Sequence, residues 1–276
     1  MKRTITRCLS ILLVASAAAA TAGPEEDRAA LVDYFTKRFP GVALERYVDG
    51  AYAFDADAYE QWQQIQEFPQ HEPSIEEGET LFKTPFANGK TYADCFENGG
   101  IGIRQGYPRW DEEQGQVVTL ELAINQCREK NGEKPLGWFK GPIAAISAYM
   151  AYTSRGNPID IKVPNEKALA AYEEGKAYYY SKRGQLNFSC ADCHVVNANN
   201  MIRADRLSPM LGQTTHFPVY RSKWGEMGTL HRRFKGCNEQ IRGVALEAQS
   251  PEYRNLEYFL SYASNGLPVN GPGDRK

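Results

Sequence analysis

Apolar and polar residues alternate with helical spacing in the N-terminal part of the chain. In residues 55–68 a tyrosine, a tryptophan and an isoleucine recur every three residues, which places them on one face of a helix. Residues 27–39 form another amphipathic stretch, which ends at a Pro-Gly pair, a strong helix stop signal. We therefore expect a helical extension over residues 23–72 that packs on the domain following it, with His71 in a solvated loop.

Two pairs of later segments repeat each other. Residues 148–159 resemble residues 258–269 at an offset of 110. Each copy has an aromatic-rich apolar face and is closed by a glycine with a proline beyond it, as amphipathic helices often are. Residues 76–82 resemble residues 173–179 at an offset of 97 and contain a glycine at the matching place. These matches indicate an internal duplication.

The cysteines follow the same duplication. Cys127 lies 25 residues before Tyr152, and Cys237 lies 25 residues before Tyr262. Each half therefore contains a Gly-containing helix, a cysteine region and an aromatic-rich helix in the same order. Cys127 and Cys237 are predicted to occupy equivalent places in the two halves.

Composition and charge exclude some classes of protein. The chain has 276 residues, of which 42% are hydrophobic and 24% charged, as in ordinary soluble globular proteins. Its 32 Lys and Arg against 34 Asp and Glu leave a formal net charge of -2. Such a balance gives no global field that favours nucleic acid or an anionic membrane.

Residues 1–22 have the features of a secretory signal peptide. Basic residues begin the segment, an apolar run follows, and small residues form a cleavage zone, with cleavage expected after Ala20 or Ala22. The apolar run is too short to span a bilayer, and no later segment is long or apolar enough. We expect an exported protein in the periplasm that keeps five cysteines.

The sequence Cys190-Ala-Asp-Cys193-His194 is a C-x-x-C-H motif, which attaches c-type haem. The two thiols add to the haem vinyl groups, and His194 is expected to bind iron as the proximal ligand. C-x-x-C also occurs in redox dithiols and as half of a zinc site. A zinc site needs a second ligand pair at short spacing, which this sequence does not provide. The cofactor prediction is one covalently bound haem c.

A small helical cytochrome c domain wraps haem with the same order of elements as each half. We therefore predict a mainly α protein with two tandem cytochrome c-like domains related by internal duplication, the first without haem. The predicted boundaries are residues 73–160 for the haem-less domain and residues 161–276 for the haem-binding domain.

The first half lacks a haem motif, because Cys95 has neither a second cysteine nor a following histidine near it. If Cys95 stands where a haem-linking thiol was and Cys127 where an axial ligand was, both face one small cavity. In an oxidising compartment two such thiols are expected to form a disulfide. The alternative is two unpaired buried cysteines.

Cys237 then remains without a pairing partner. Arg232, Arg233 and Lys235 precede it closely, and such cations lower a thiol pKa and attract anions if they point towards the sulfur. Gly236 permits close backbone approach beside the sulfur. The alternative is a buried structural cysteine.

An ordinary electron-carrier cytochrome completes its iron with methionine or a second histidine. Candidates in this chain are Met201, Met210, Met227, His216 and His231. None of them occupies a position that the internal repeat matches with an equivalent residue in the other half. We predict Cys237 as the distal iron ligand because of its place in the repeat and its basic flank.

The haem motif, residues 232–238 with their basic Gly-Cys segment, and residues 120–128 resemble the SoxA family, the catalytic subunits of SoxAX cytochromes in bacterial sulfur oxidation. The likeness covers roughly residues 76–268, and the basic Gly-Cys segment is its most specific part. Family members with two haems carry another C-x-x-C-H in the first half. This sequence lacks it and so resembles the single-haem type, with a disulfide in that place.

This resemblance implies an activity, an L-cysteine S-thiosulfotransferase that joins thiosulfate oxidatively to a cysteine of the carrier SoxYZ. It implies iron ligation by His194 and Cys237, the latter being catalytic and often a persulfide in the family. Arg233 matches the family's substrate-binding arginine, and Arg232 and Lys235 are expected to add attraction. The implied electron partner is a small SoxX-like cytochrome c in a heterodimer. Thiosulfate and related sulfur anions remain open as substrates.

Two competing functions remain open at this stage. A simple electron-transfer cytochrome c requires a methionine or histidine distal ligand and has no transferase activity. A non-catalytic scaffold tolerates the loss of Cys237 without a change in function.

Overall fold

The computed structural model describes residues 23–276, so the predicted signal peptide and its cleavage sites lie outside the described residues. The described part is mainly helical, with three small sheets. Its α-helices are α1 Pro24–Arg38, α2 Ala56–Ile65, α3 Glu72–Lys83, α4 Leu120–Lys130, α5 Pro142–Tyr152, α6 Glu166–Tyr180, α7 Leu230–Gln240 and α8 Pro251–Ala263. Its strands are β1 Arg109–Asp111, β2 Gln116–Val118, β3 Met201–Ile202, β4 Asp205–Arg206, β5 Val219–Arg221, β6 Glu226–Gly228 and β7 Gly273–Arg275. Among residues 23–276, no helix has the length and apolarity needed to cross a membrane.

The internal duplication is visible in the order and pairing of the elements. In the first half, α3 packs on α5, and the antiparallel hairpin β1–β2 leads into α4. In the second half, α6 packs on α8, and the antiparallel hairpin β5–β6 leads into α7. The predicted duplicated, mainly α architecture is confirmed.

The repeated glycine allows the two main helices of each half to cross closely. A Cβ atom on Gly78 would lie 2.0 Å from the carbonyl oxygen of Ala145. A Cβ atom on Gly175 would lie 2.0 Å from the carbonyl oxygen of Asn255. Because both distances are far below van der Waals contact, any side chain at either glycine would force the crossing helices apart.

The two halves have the same turn at the position of the haem motif but different residues in it. Asp94 and Asp192 both reach back to the backbone of a capping residue three positions earlier, Thr91 and Ser189 respectively, so the two turns are built alike. This correspondence aligns Tyr92-Ala-Asp-Cys95-Phe96 of the first half with Cys190-Ala-Asp-Cys193-His194 of the second half. Aromatic side chains thus occupy the places of the first cysteine and the histidine in the first half.

Cys95 and Cys127 form a disulfide, with their Cα atoms 5.8 Å apart. The amide of buried Asn131 donates a hydrogen bond to the Cys127 carbonyl and lies beside both sulfur atoms. Tyr92, only 1% exposed, packs against the rings of Phe82 and Phe86 in the same core. The predicted pairing is confirmed, and the interior of the first half is filled by protein side chains.

The expected packing of the N-terminal extension on the first half is wrong. Phe35 and Tyr47 from the extension are fully buried in the core of the second half, together with Tyr172 of α6 and Tyr253 of α8. Between α1 and α2 the chain forms a kinked 3₁₀ segment, Leu44–Phe54. The sequence showed which residues were apolar but not which half they would cover.

The expectation of a solvated His71 is also wrong. His71 is 3% exposed, and its Nδ1 lies 2.8 Å from Oδ2 of Asp274. Arg155 donates to His71 Nε2 over 3.1 Å, so the ring proton is on Nδ1 and is donated to Asp274. The indole of Trp62 also donates to the Asp274 carbonyl. These contacts anchor β7, which pairs in parallel with β5 and places Arg275 beside Arg221.

Candidate haem and sulfur-anion site

A cavity of about 630 Å³ opens in the second half. Its volume is in the range that holds a cofactor or substrate. Its walls include the end of α6, the C-x-x-C-H turn, the β3–β4 hairpin, β5 and α7. The predicted site residues Cys190, Cys193, His194, Arg233 and Cys237 all line it. The structure therefore brings together residues that are up to 47 positions apart in the sequence.

Local hydrogen bonds fix the turn that carries the two cysteines and the histidine. Ser189 and Asp192 form a reciprocal capping pair, in which the Ser189 N–H donates to Asp192 Oδ2 over 2.8 Å and the Asp192 N–H donates to Ser189 Oγ over 3.0 Å. Residues Asp192–Val196 continue as a π-helical turn, a local widening that is frequent at functional sites. Both cysteine thiols thereby point into one cavity.

His194 is oriented as an iron ligand would be. Its Nδ1 lies 2.8 Å from the carbonyl oxygen of Ser208, and a carbonyl can only accept, so Nδ1 carries the proton. The unprotonated Nε2 is then available to a metal, as in many sites where a backbone carbonyl holds the other ring nitrogen. This arrangement fits the haem that the motif predicts.

As free thiols, before any haem is attached, the two motif cysteines resist ionisation. Burial raises the pKa of Cys190 to about 11, and the neighbouring Cys237 adds to this effect. Burial and Cys237 also raise the pKa of Cys193. No group of three or more His, Cys, Asp or Glu side chains within residues 23–276 could hold a separate metal ion, which gives the zinc alternative no support there.

Cys237 has the opposite electrostatic environment. Burial alone raises the pKa of its thiol, but nearby cationic groups, the Arg233 guanidinium foremost, outweigh that effect and lower the pKa to about 7. Arg233 precedes Cys237 by four residues on α7, so both side chains lie on the helix face that borders the cavity. A much larger share of this sulfur is therefore thiolate near neutral pH than for an ordinary cysteine, and the thiolate is the form that binds metals and attacks electrophiles.

Only one of the three cations near Cys237 in sequence faces it. Arg232 lies 3.1 Å from a Glu226 carboxylate and stacks on the Trp224 ring, and Lys235 lies 3.9 Å from a Glu239 carboxylate. Neither lines the cavity. The expectation that Arg232 and Lys235 attract the substrate is therefore wrong.

The expected close backbone approach at Gly236 does not occur either. A Cβ atom on Gly236 would have no neighbour within 4 Å.

Most of the alternative distal ligands lie outside the cavity. Met210 is fully buried in the core, and Met227 is buried against Ala144 and Ala148 of α5. His231 accepts a backbone hydrogen bond through Nδ1 and has Nε2 3.2 Å from Glu257.

Two of the alternatives do line the cavity. Met201 lies on β3 and is 55% exposed, at the rim. His216 has its buried Nδ1 without a hydrogen-bond partner among the described residues. Burial, followed by Arg275 and Arg221, lowers the pKa of His216, so the ring is neutral.

Besides Arg233, the cavity is lined by five arginines that the sequence gave no reason to select, Arg183, Arg203, Arg206, Arg221 and Arg275. Arg221 ends β5, and Arg275 lies beside it on β7. Each is an isolated arginine in a short strand, without a motif around it. Only the parallel pairing of β5 with β7 shows that they share the wall of the site.

Comparisons with known proteins agree with this geometry. The family described as SoxA/TsdA, cytochrome c domain, matches residues 77–159 and 174–269, one segment in each half. A protein of Allochromatium vinosum named L-cysteine S-thiosulfotransferase subunit SoxA is 56% identical over 92% of this chain and 91% of its own length. The protein of the same name from Chlorobaculum tepidum is 50% identical over the full length of both. The crystal structure of SoxXA from P. pantotrophus superposes with a TM-score of 0.72 at 32% identity, covering 79% of this chain and 84% of that one.

Proposed function

The chain belongs to the SoxA family, and on that premise we propose that it is an L-cysteine S-thiosulfotransferase, a haem c protein that oxidatively conjugates thiosulfate to a cysteine of a SoxYZ-like carrier. It works in the periplasm after signal-peptide cleavage, as a heterodimer with a SoxX-like small cytochrome c. The SoxXA structure that this chain resembles supports that partner. The observation that carries the proposal is the convergence of Cys237, Arg233 and His194 on one cavity with the haem motif.

The chain's own residues would hold one haem. Cys190 and Cys193 would form the thioether links, and His194 and Cys237 would bind the iron. The Ser208 carbonyl keeps the His194 ring in the tautomer that leaves Nε2 free. A haem bound in this way supplies the one-electron acceptor that the oxidation needs.

Arg233 binds and orients the anion. A guanidinium offers paired N–H donors to the sulfonate oxygens of thiosulfate, leaving the outer sulfur directed at the cysteine one helical turn away. Arg233 also favours the Cys237 thiolate, since it is the largest of the influences that lower that pKa. Because the cavity is partly closed, these charges act with less screening than at the surface.

The sulfur chemistry then balances in two steps. The outer sulfur of thiosulfate bonds to the Cys237 sulfur, with loss of two electrons to the electron-accepting partner, and gives Cys237–S–S–SO₃⁻, in which the first sulfur is that of the cysteine. The thiolate of the carrier cysteine attacks the former outer sulfur of thiosulfate, forms carrier–S–S–SO₃⁻ and releases the Cys237 thiolate. The overall change is a carrier thiol plus thiosulfate to the S-thiosulfonate, one proton and two electrons. A persulfide on Cys237 would add one sulfur between the cysteine and the thiosulfate and leave this balance the same.

The test is replacement of Cys237 by serine in the haem-loaded heterodimer. We expect loss of turnover with thiosulfate and carrier, together with a changed haem absorption spectrum, because one sulfur does both tasks. Met227→Leu is the matched control, since Met227 lies outside the cavity and should leave both readouts unchanged. Turnover retained by Cys237→Ser would refute the assignment.

A simple electron-transfer cytochrome is the second candidate, and one observation favours it. The neutral His216 lines the cavity, and its Nδ1 has no hydrogen-bond partner among residues 23–276, which leaves that nitrogen free to act as a ligand. In that case His216→Ala would change the haem spectrum and Cys237→Ser would not. We expect the reverse result.

A further inference from the structure

Helix α7, which carries the two proposed sulfur-site residues, is held at its N-terminal end by the first half. We call first-half residues 138–140 the clasp. The backbone N–H of Thr229, the residue before α7, donates to the Phe139 carbonyl over 3.1 Å. The Thr229 hydroxyl donates to the Trp138 carbonyl over 2.9 Å. Because Thr229 is only 1% exposed, water cannot readily replace either hydrogen bond.

The equivalent threonine of the first half uses its hydroxyl differently. Thr119 lies 110 residues before Thr229, begins α4 in the same way and is fully buried. Its hydroxyl donates to the Gln249 side chain over 2.9 Å and accepts from the Leu122 N–H over 3.1 Å, so it caps its own helix. In the part of the chain that the structure describes, the Thr229 hydroxyl accepts no such bond from α7. The second half therefore lacks this cap and uses the hydroxyl to bind the first half.

Side chains around the clasp contact a face of α7 that does not line the cavity. The Lys235 ammonium lies 5.3 Å from the centroid of the Phe139 ring. Lys140 lies 3.0 Å from a carboxylate oxygen of Glu226, and Arg232 lies 3.1 Å from the same oxygen. These partly exposed contacts are weaker than the two buried hydrogen bonds. They explain why two cations beside the sulfur site point away from it.

The position of α7 decides where the site residues lie. Four of its residues line the cavity: Leu230, Arg233, Phe234 and Cys237. Arg233 and Cys237 follow Thr229 by about one and about two helical turns, so a shift of the helix start moves both. Chemistry at such a site is sensitive to small displacements, since a misplacement of about 1 Å can cost about 100-fold in rate.

We propose that the clasp positions α7 for the sulfur chemistry, with Thr229 as the main positioning residue. The inference rests on the proposed function and gives the haem-less half a part in it. Thr229 does not line the cavity and acts only through the helix that it begins. An interface that only stabilises the fold would leave the geometry at Cys237 unchanged when it is weakened, and this difference can be measured.

The main variants are Thr229→Val, which keeps the shape of the side chain and removes its hydroxyl, and Thr229→Ser, which restores the hydroxyl. Phe139→Leu is a second variant, which removes the ring beside Lys235 and leaves the backbone carbonyl in place. Thr119→Val is the matched control, because it removes the equivalent buried hydroxyl from the first half. All are prepared as haem-loaded heterodimers, and haem content and circular dichroism verify folding.

Three quantities are measured: Tm, the g values of the oxidised haem by low-temperature electron paramagnetic resonance, and the Kd of thiosulfate by calorimetry without carrier. Both threonine-to-valine variants should lower Tm by several degrees, because each loses a buried hydrogen bond. Only Thr229→Val should also shift the g values and raise Kd by about threefold or more, because Arg233 and Cys237 are displaced. Thr229→Ser should restore both quantities, and Phe139→Leu should give smaller shifts in the same direction.

A lowered Tm with unchanged g values and Kd in Thr229→Val would show that the clasp only stabilises the fold, and the inference would be wrong. The same spectral shift in Thr119→Val would also overturn it, since loss of stability alone would then explain the shift. If Thr229→Val binds no haem, the same criteria apply to Phe139→Leu. If the wild type neither binds nor turns over thiosulfate, the proposed function fails. The g values then still test the positioning, because Leu230 and Phe234 of α7 line the haem cavity.

Discussion

Removal of the disulfide in the first half should cost a large part of the protein's stability. The bond between Cys95 and Cys127 closes a loop across a sequence separation of 32 residues. In the chain-entropy treatment, closing a loop of about 33 residues removes about 12 cal/mol/K from the unfolded ensemble, or about 3–4 kcal/mol at 25 °C. Whole domains have about 5–15 kcal/mol of unfolding free energy, so the loss should be easy to measure.

The experiment is equilibrium unfolding of the haem-loaded protein in urea, comparing the wild type with the double variant Cys95→Ala and Cys127→Ala. We expect the unfolding free energy to fall by about 3–4 kcal/mol and the denaturant slope to rise, because the unlinked chain exposes more surface. Wild type treated with dithiothreitol serves as a control, because this reagent reduces the disulfide and leaves the thioether links to haem intact. A loss below about 1 kcal/mol would contradict the entropic origin of the stabilisation.

Three other predictions test separate parts of the structure. Arg233→Leu should raise KM for thiosulfate by about tenfold or more in steady-state kinetics, because charge-assisted hydrogen bonds to the sulfonate are lost; unaltered KM would count against its role. Burial raises the pKa of Glu121 above its usual 4.5, so the folded state retains a proton that the unfolded state has lost, and stability falls as pH rises above 4.5. Glu121→Gln should therefore raise Tm more at pH 8 than at pH 4, and an equal effect at both values would argue against this pKa shift. Gly175→Ala should lower Tm by several degrees, because its Cβ would lie 2.0 Å from the Asn255 carbonyl, whereas Gly236→Ala has no such neighbour and should be neutral or stabilising.

The duplicated fold could be predicted because local sequence patterns recur in both halves. The apolar faces, the crossing glycines Gly78 and Gly175, and the spacing of Cys127 and Cys237 recur in both halves. A further sequence signal is that Tyr92-Ala-Asp-Cys95-Phe96 shares its three central residues, Ala, Asp and Cys, with the haem motif. It would have shown that Cys95 corresponds to the second cysteine of the motif and that aromatic residues replaced the other haem contacts.

The location of the N-terminal extension could not be predicted in the same way. Phe35 and Tyr47 are apolar in any arrangement, and either half could have buried them. The choice depends on shape complementarity between elements far apart in the chain, which local spacing does not encode. His71 shows the same limit, because its partner Asp274 is 203 residues away.

The site residues that lie close together in the sequence could be predicted, and those brought to the site by strand pairing could not. Cys190, Cys193 and His194 form one turn, and Arg233 lies one helical turn before Cys237. Helical geometry alone also predicts that residues one and two positions from this face, such as Arg232 and Lys235, point elsewhere. Arg275 lies at the site because β7 pairs with β5, an arrangement without a sequence signal.

The most direct test of the central claim is low-temperature electron paramagnetic resonance of the oxidised haem. The claim is that Cys237 is both the distal iron ligand and the sulfur that receives thiosulfate. It predicts a low-spin signal typical of thiolate ligation in the wild type, which is lost in Cys237→Ser and preserved in His216→Ala. A wild-type signal typical of histidine–methionine or bis-histidine ligation, unchanged by Cys237→Ser, would contradict it.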